Sequence, residues 1–322
     1  MSWRALPVAL LALQAACTAE HEDAPEQAAD PVVVYAAYED RDYLPMLFAR
    51  FTKDTGIVVI VRHGDAAAMV DDVIRDEITP PADVLITPTV RGVYRAAEEG
   101  ALRPIYSTLL EERVAPALRD PDALWTALSF RAASIAYDPD IADRSELGSA
   151  EALADPRFRG QLCLSPSAEP ANRTVIAGLI DRLGVREAEH LVRGWLANLA
   201  KPVLDSEDKL WIAFENGECG IALVSNVGRA FLTNSGFSGL GIRDLQPAYV
   251  DVEGIGINRH ARNPEGALRL VEWLLGEKVQ ALHAGSMLSY PATGNYAGTR
   301  NASVVAWHDE EAIRLAERAG YR

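Results

Sequence analysis

Residues 32 to 61 read VVVYAAYEDRDYLPMLFARFTKDTGIVVIV, and the order of patterns within this stretch decides the fold. An apolar run suited to a strand comes first, followed by a loop of tyrosines and acids. Leu44, Leu47, Phe48 and Phe51 then fall at i, i+3, i+4 and i+7, which is one face of a helix. Pro45 suits the first turn of that helix and Gly56 its end. IVVIV at 57 to 61 is expected as a fully buried second strand. In open parallel sheets ligands sit beyond the carboxyl ends of the strands. The first loop, with Tyr35, Tyr38, Glu39 and Asp40, is therefore a candidate binding surface.

Outward from this stretch the pattern repeats. Met69, Val70, Val73 and Ile74 mark a second helix, DVLIT at 83 to 87 a third strand, and residues 90 to 99 a third helix stopped by Gly100. Three βα units in succession imply a parallel sheet covered by helices on both faces. WTALSF and ASIAY, separated only by Arg131 and Ala132, then form a near-continuous extended segment suited to crossing between domains. A second α/β series follows: strand QLCLS, helices over 172–183, 187–199 and 208–216, and strand CGIALV. Residues 233 to 247 are expected as a glycine-rich loop, and VDVEGIGIN at 250 to 258 as another strand. Helices over 264–275 and 309–319 complete the chain, the last one amphipathic and exposed.

The 322 residues suffice for about two domains. A formal charge of −15, without a dense run of Lys and Arg, argues against nucleic acid. No later apolar run approaches the ~20 residues of a spanning helix. Arg4 precedes the apolar stretch 5–16, the length of a secretory h-region and too short to span a membrane. Ala15 and Ala16 lead into Cys17, a candidate lipidation site, although Gln14 stands where an aliphatic residue is usual; plain cleavage near Ala19 is the alternative. Residues 17–30 then form an acidic tether. In an exported protein, Cys163 and Cys219 read either as a disulfide or as two buried apolar side chains.

The stretches VVVYAAYEDRDYL, FTKDTGIVV, PADVLIT, YRAAEEGALRPI, RDPDALWTALSFRAASIAYDP, LADPRFRGQLCLS, FENGECGIALVSN and GIGINRHARNPEGALRLVEWLLGEKVQ give the chain a resemblance to a family. Over residues 31–298 it resembles the type II periplasmic substrate-binding proteins, most of all those serving ferric iron ABC importers. The resemblance implies two α/β lobes with mainly parallel sheets flanked by helices, hinged by crossing strands. Lobe 1 would comprise 31–131 with 250–298, and lobe 2 132–249 with 299–322. It further implies a periplasmic or cell-surface monomer that closes on one ligand and docks on a permease driven by an ATPase. The two cysteines fall where iron-binding members have a disulfide.

Ferric members hold iron with several tyrosines, sometimes a histidine or carboxylate, and in some branches an anion. Fe(III) is a hard cation and phenolate a hard donor. On this resemblance Tyr35, Tyr38, Glu39 and Tyr137 are the candidate metal ligands. The chain departs from the family after CGIALV, where Ser225, Asn226, Val227, Gly228 and Arg229 replace the adjacent tyrosines. Asn226 and Arg229 suit an anion or polar solute better than a bare ion. Arg131 on the crossing segment, and Ser165, Ser167 and Asn172 around a helix start, could serve the same ligand. For Asn172 the alternative is an N-cap.

The leading expectation is thus a carrier of Fe(III), with or without a chelating anion. The alternatives are a phosphonate, another small anion or organic solute, or a sensory adaptor that passes the closed state to a receptor. HExxH, CxxC and GxSxG are absent from the sequence, and no catalytic cofactor or acid–base pair is recognisable.

Overall fold

The structure, a computed structural model, describes residues 30–37, 43–75, 81–227, 239–287, 289–294 and 298–322. Two sheets organise it. The larger has the order β11-β5-β10-β3-β1-β2, with β4 also paired to β10. Its strands are β1 (Val32–Ala36), β2 (Val59–His63), β3 (Val84–Thr87), β4 (Leu102–Arg103), β5 (Trp125–Ala132), β10 (Val250–Asn258) and β11 (Tyr290–Pro291). The smaller sheet runs β7-β8-β6-β9, from β6 (Ser134–Tyr137), β7 (Leu162–Cys163), β8 (Ile221–Val224) and β9 (Gly241–Asp244).

The βα units form as the periodicity requires. Helix α1 (Tyr43–Thr55) buries Leu44, Leu47, Phe48 and Phe51 against the first sheet and ends at Gly56, whose φ of 77° favours glycine. Helices α2 (Ala66–Arg75) and α3 (Val90–Glu98) follow β2 and β3. Parallel pairing joins β1 to β2 and β3, and β7 to β8; the pairs involving β5, β6 and β10 are antiparallel. The strands of the three βα units thus pair in parallel as expected, within two sheets that are otherwise antiparallel or mixed. β2 corrects the expectation of a fully buried strand at 57–61. Among the described residues it is an edge strand paired with β1 alone, and Ile60 is 43% exposed.

β5 and β6 are interrupted only at Ala133, where the chain passes from the larger sheet to the smaller. β10 makes the return crossing and pairs with β5 from Val250↔Ala132 to Gly256↔Trp125. The second sheet is covered by α5 (Pro170–Leu183) and α7 (Glu207–Glu215), with α6 (Val185–Ala197) packed on α5. Cys163 and Cys219 form a disulfide, with Cα atoms 5.9 Å apart, in a small cluster with Leu210, Trp211 and Phe214.

Two further elements differ from expectation. β9 lies inside the segment 233–247 expected as loop, because pairing with β6 supplies the order that its glycine-rich sequence does not. After α8 (Pro264–Leu274) and α9 (Glu277–Ser286), the last helix α10 spans Ala302–Ala319, begins at the Asn301 cap, and buries Val305, Asp309, Ala312 and Leu315. It packs along α5 and α6 and also touches α3, so it is not an exposed helix. Among the described residues no helix is long and apolar enough to cross a membrane.

Candidate ligand cleft at the strand crossing

A cavity of about 240 Å³ lies where the two sheets meet. Arg131, Ala132 and Ala133 at the crossing form its floor, together with Asp251 of β10. Ser165 and the first turn of α5 make one wall; Leu223, Ser225 and Val227 at the end of β8, with Glu207 at the start of α7, make another. The connection between β strands is direct: Asp251 and Arg131 are register partners on β10 and β5.

The polar groups of the cavity are held by defined partners. Asn172 is buried within the first turn of α5, and its Nδ2 donates to the Ser165 carbonyl (3.1 Å), the Ser165 Oγ (3.0 Å) and the Pro166 carbonyl (2.9 Å). It is therefore a brace for the turn, not the N-cap, which is Glu169. The Tyr321 hydroxyl donates to the Ser165 carbonyl from the C-terminus (2.7 Å). Glu207 accepts from the Ser225 N–H and the Ser225 hydroxyl, both at 2.6 Å. Arg131 donates to the Pro88 carbonyl at 3.2 Å.

Burial sets the electrostatics. Burial pushes the Asp251 carboxyl up to about 6, although the Val90 N–H at the start of α3 donates to it (2.9 Å) and Arg131 and Arg173 stabilise its charge. Glu207 is likewise raised by burial, against the two bonds from Ser225. One guanidinium, Arg131, thus shares the lining with three carboxylates, Glu169, Glu207 and Asp251.

Of the residues singled out in the sequence, Arg131, Ser165 and Asn172 come together in this lining. Asn226 is buried between two lining residues, Ser225 and Val227. Ser167 is half-buried in the adjoining turn, outside the lining. Tyr38, Glu39, Arg229 and Cys17 lie outside the described residues.

Two tyrosines are placed elsewhere. Tyr35 is enclosed in β1, with Arg62 5.9 Å from its ring centroid and no hydrogen-bond partner for its hydroxyl among the described residues. Burial raises its pKa, which opposes phenolate formation. Tyr137 is at the end of β6 away from Ala133, about 10 Å along the strand from Ser134. Its ring covers Gly241 so closely that a Cβ there would sit 2.1 Å from Cζ. It packs against the second sheet and is not among the residues that line this cavity.

Among the described residues no tyrosine lines the cavity, and no group of three or more His, Cys, Asp or Glu could hold a metal. Asp251 and Glu207 escaped the sequence reading. The available signal for Asp251 was an acid inside a strand buried on both faces, which requires partners.

A family model described as bacterial extracellular solute-binding protein matches residues 79–313. A Synechocystis protein named iron uptake protein A1 is 29% identical over 265 residues, covering 76% of this chain and 71% of the relative. A solved Trichodesmium structure, IdiA (FutA) with iron and citrate ligands, superposes with a TM-score of 0.78 at 26% identity, covering 91% of this chain and 100% of that one. The ferric binding protein from Campylobacter jejuni superposes at 0.73 with 24% identity, covering 90% and 100%, and shows the two-lobed fold.

Proposed function

The chain belongs to the bacterial extracellular solute-binding proteins, and from that premise we propose that it captures ferric iron together with a chelating anion and delivers it to an ABC permease and its ATPase. The observation that carries this reading is a cavity at the crossing strands with the Arg131 guanidinium in its wall and no phenol among its described lining residues. A bare ion would fill little of about 240 Å³ and would find no phenolate donor there. An iron chelate brings its own oxygen donors and offers carboxylates to arginine. The iron-named relatives and the iron and citrate neighbour support the same cargo.

In this reading Arg131, Ser165, Asn172, Asn226 and Arg229 hold the anion, and Tyr38 and Glu39 supply the protein's donors to the metal. The protein captures and does not turn over its ligand. It works outside the cytoplasmic membrane as a monomer, tethered through a lipid on Cys17. The disulfide suits that compartment.

Titrating the purified protein with ferric citrate under visible absorption tests the metal half. A saturable phenolate-to-iron band that Tyr38→Phe removes is the expected result. Absence of both the band and thermal stabilisation by ferric citrate would overturn it. A metal-free small carboxylate or oxyanion is the second reading, favoured by the same arginine in a cavity without a lining phenol; stabilisation by citrate alone would select it.

A further inference from the structure

We propose that Asp309 is a positioning residue that fixes the two walls of the cleft against each other. α10 lies on α6 and on α5, which covers the second sheet, yet also meets α3, which covers the first. Asp309 stands at that junction and is only 5% exposed. Its Oδ1 is 2.9 Å from Nε of Arg173 on α5, and its Oδ2 is 3.0 Å from an Nη of Arg91 on α3. The Arg91 contact is an ion pair without an aligned hydrogen bond.

Each arginine is one residue from the cavity machinery. Arg91 follows Val90, whose N–H holds Asp251, and Arg173 follows Asn172, which braces the Ser165 turn. Movement of either helix start is therefore movement of a cavity wall. A buried carboxylate is stable only when paired, and here its two partners come from opposite sides of the cleft. Neutralising it leaves two guanidiniums facing each other across the junction, which pushes the walls apart.

The consequence for cargo rests on the solute-binding reading; the positioning itself is read without cargo. Hydrogen–deuterium exchange on the purified, cargo-free protein is compared for wild type, Asp309→Asn, Arg91→Gln and Asp309→Glu. The expected result is exchange about fivefold or more faster in both segments 88–93 and 168–175 for Asp309→Asn and Arg91→Gln, with recovery in Asp309→Glu. Arg91 is half-exposed, so its variant reads the latch even where Asp309→Asn fails to fold. Faster exchange confined to α10, with both walls unchanged, would overturn the proposal. A parallel ferric citrate titration should show affinity lowered on the order of 5- to 150-fold. If the wild type does not bind ferric citrate, the ferric reading fails while the exchange result still decides the role of Asp309.

Discussion

Leu85 and Ile86 on β3 and Val34 on β1 are wholly enclosed among apolar side chains, whereas Asp251, Ser165 and Asn172 at the strand crossing are nearly as enclosed but polar. The first region gains free energy from every carbon it removes from water. The second must bond each polar atom merely to avoid a penalty, and Asp251 still carries one, visible as its raised pKa. The contrast separates stability from binding. The interior of the first sheet holds the fold, while the cleft lining is polar at a cost to stability, which fits the polar cargo proposed for it.

The largest effect should come from breaking the apolar side of this contrast. Leu85→Ala removes a fully buried side chain from a central strand and should lower unfolding free energy by about 2–5 kcal/mol in urea, with cargo affinity unchanged. Next is the disulfide, which ties β7 to the segment before β8. It closes a 56-residue separation, so the Cys163→Ser/Cys219→Ser variant should lose about 2–4 kcal/mol by the same measurement.

Asp251→Asn should move stability in the opposite direction. The folded carboxyl titrates near 6, above an unfolded value of about 3.9, so between those values the folded state binds more protons than the unfolded one. Stability from this group is therefore highest below about pH 4, falls as pH rises to about 6, and is flat beyond. Removing the charge should raise stability at pH 7.5 by up to about 3 kcal/mol and leave it little changed at pH 4. Equal effects at the two pH values would contradict the buried-carboxylate account.

The same contrast explains what could be read from sequence. β10 was legible end to end because VDVEGIGIN is an unbroken strand-type run, and α1 because four apolar residues share a face. β9 was not, since Gly241–Asp244 owes its form to β6 and not to its own residues. The site was half legible. Arg131, Ser165 and Asn172 could be singled out because a crossing segment and a helix start after a strand are the places where an interlobe cleft would form. That Tyr137 sits at the end of β6 away from the crossing was not legible, because sequence locates a residue on a strand without telling which end of that strand faces the cleft. Asp251 and Glu207 were hidden because their partners, Val90 and Ser225, are distant in sequence.

The central claim is that the cavity at the strand crossing takes the anion of a ferric chelate through Arg131. Isothermal titration of the wild type and of Arg131→Ala with ferric citrate tests it most directly. The account predicts saturable one-site binding by the wild type, with affinity about tenfold or more weaker in the variant. Equal affinity in the two proteins, or no binding by the wild type, would contradict it.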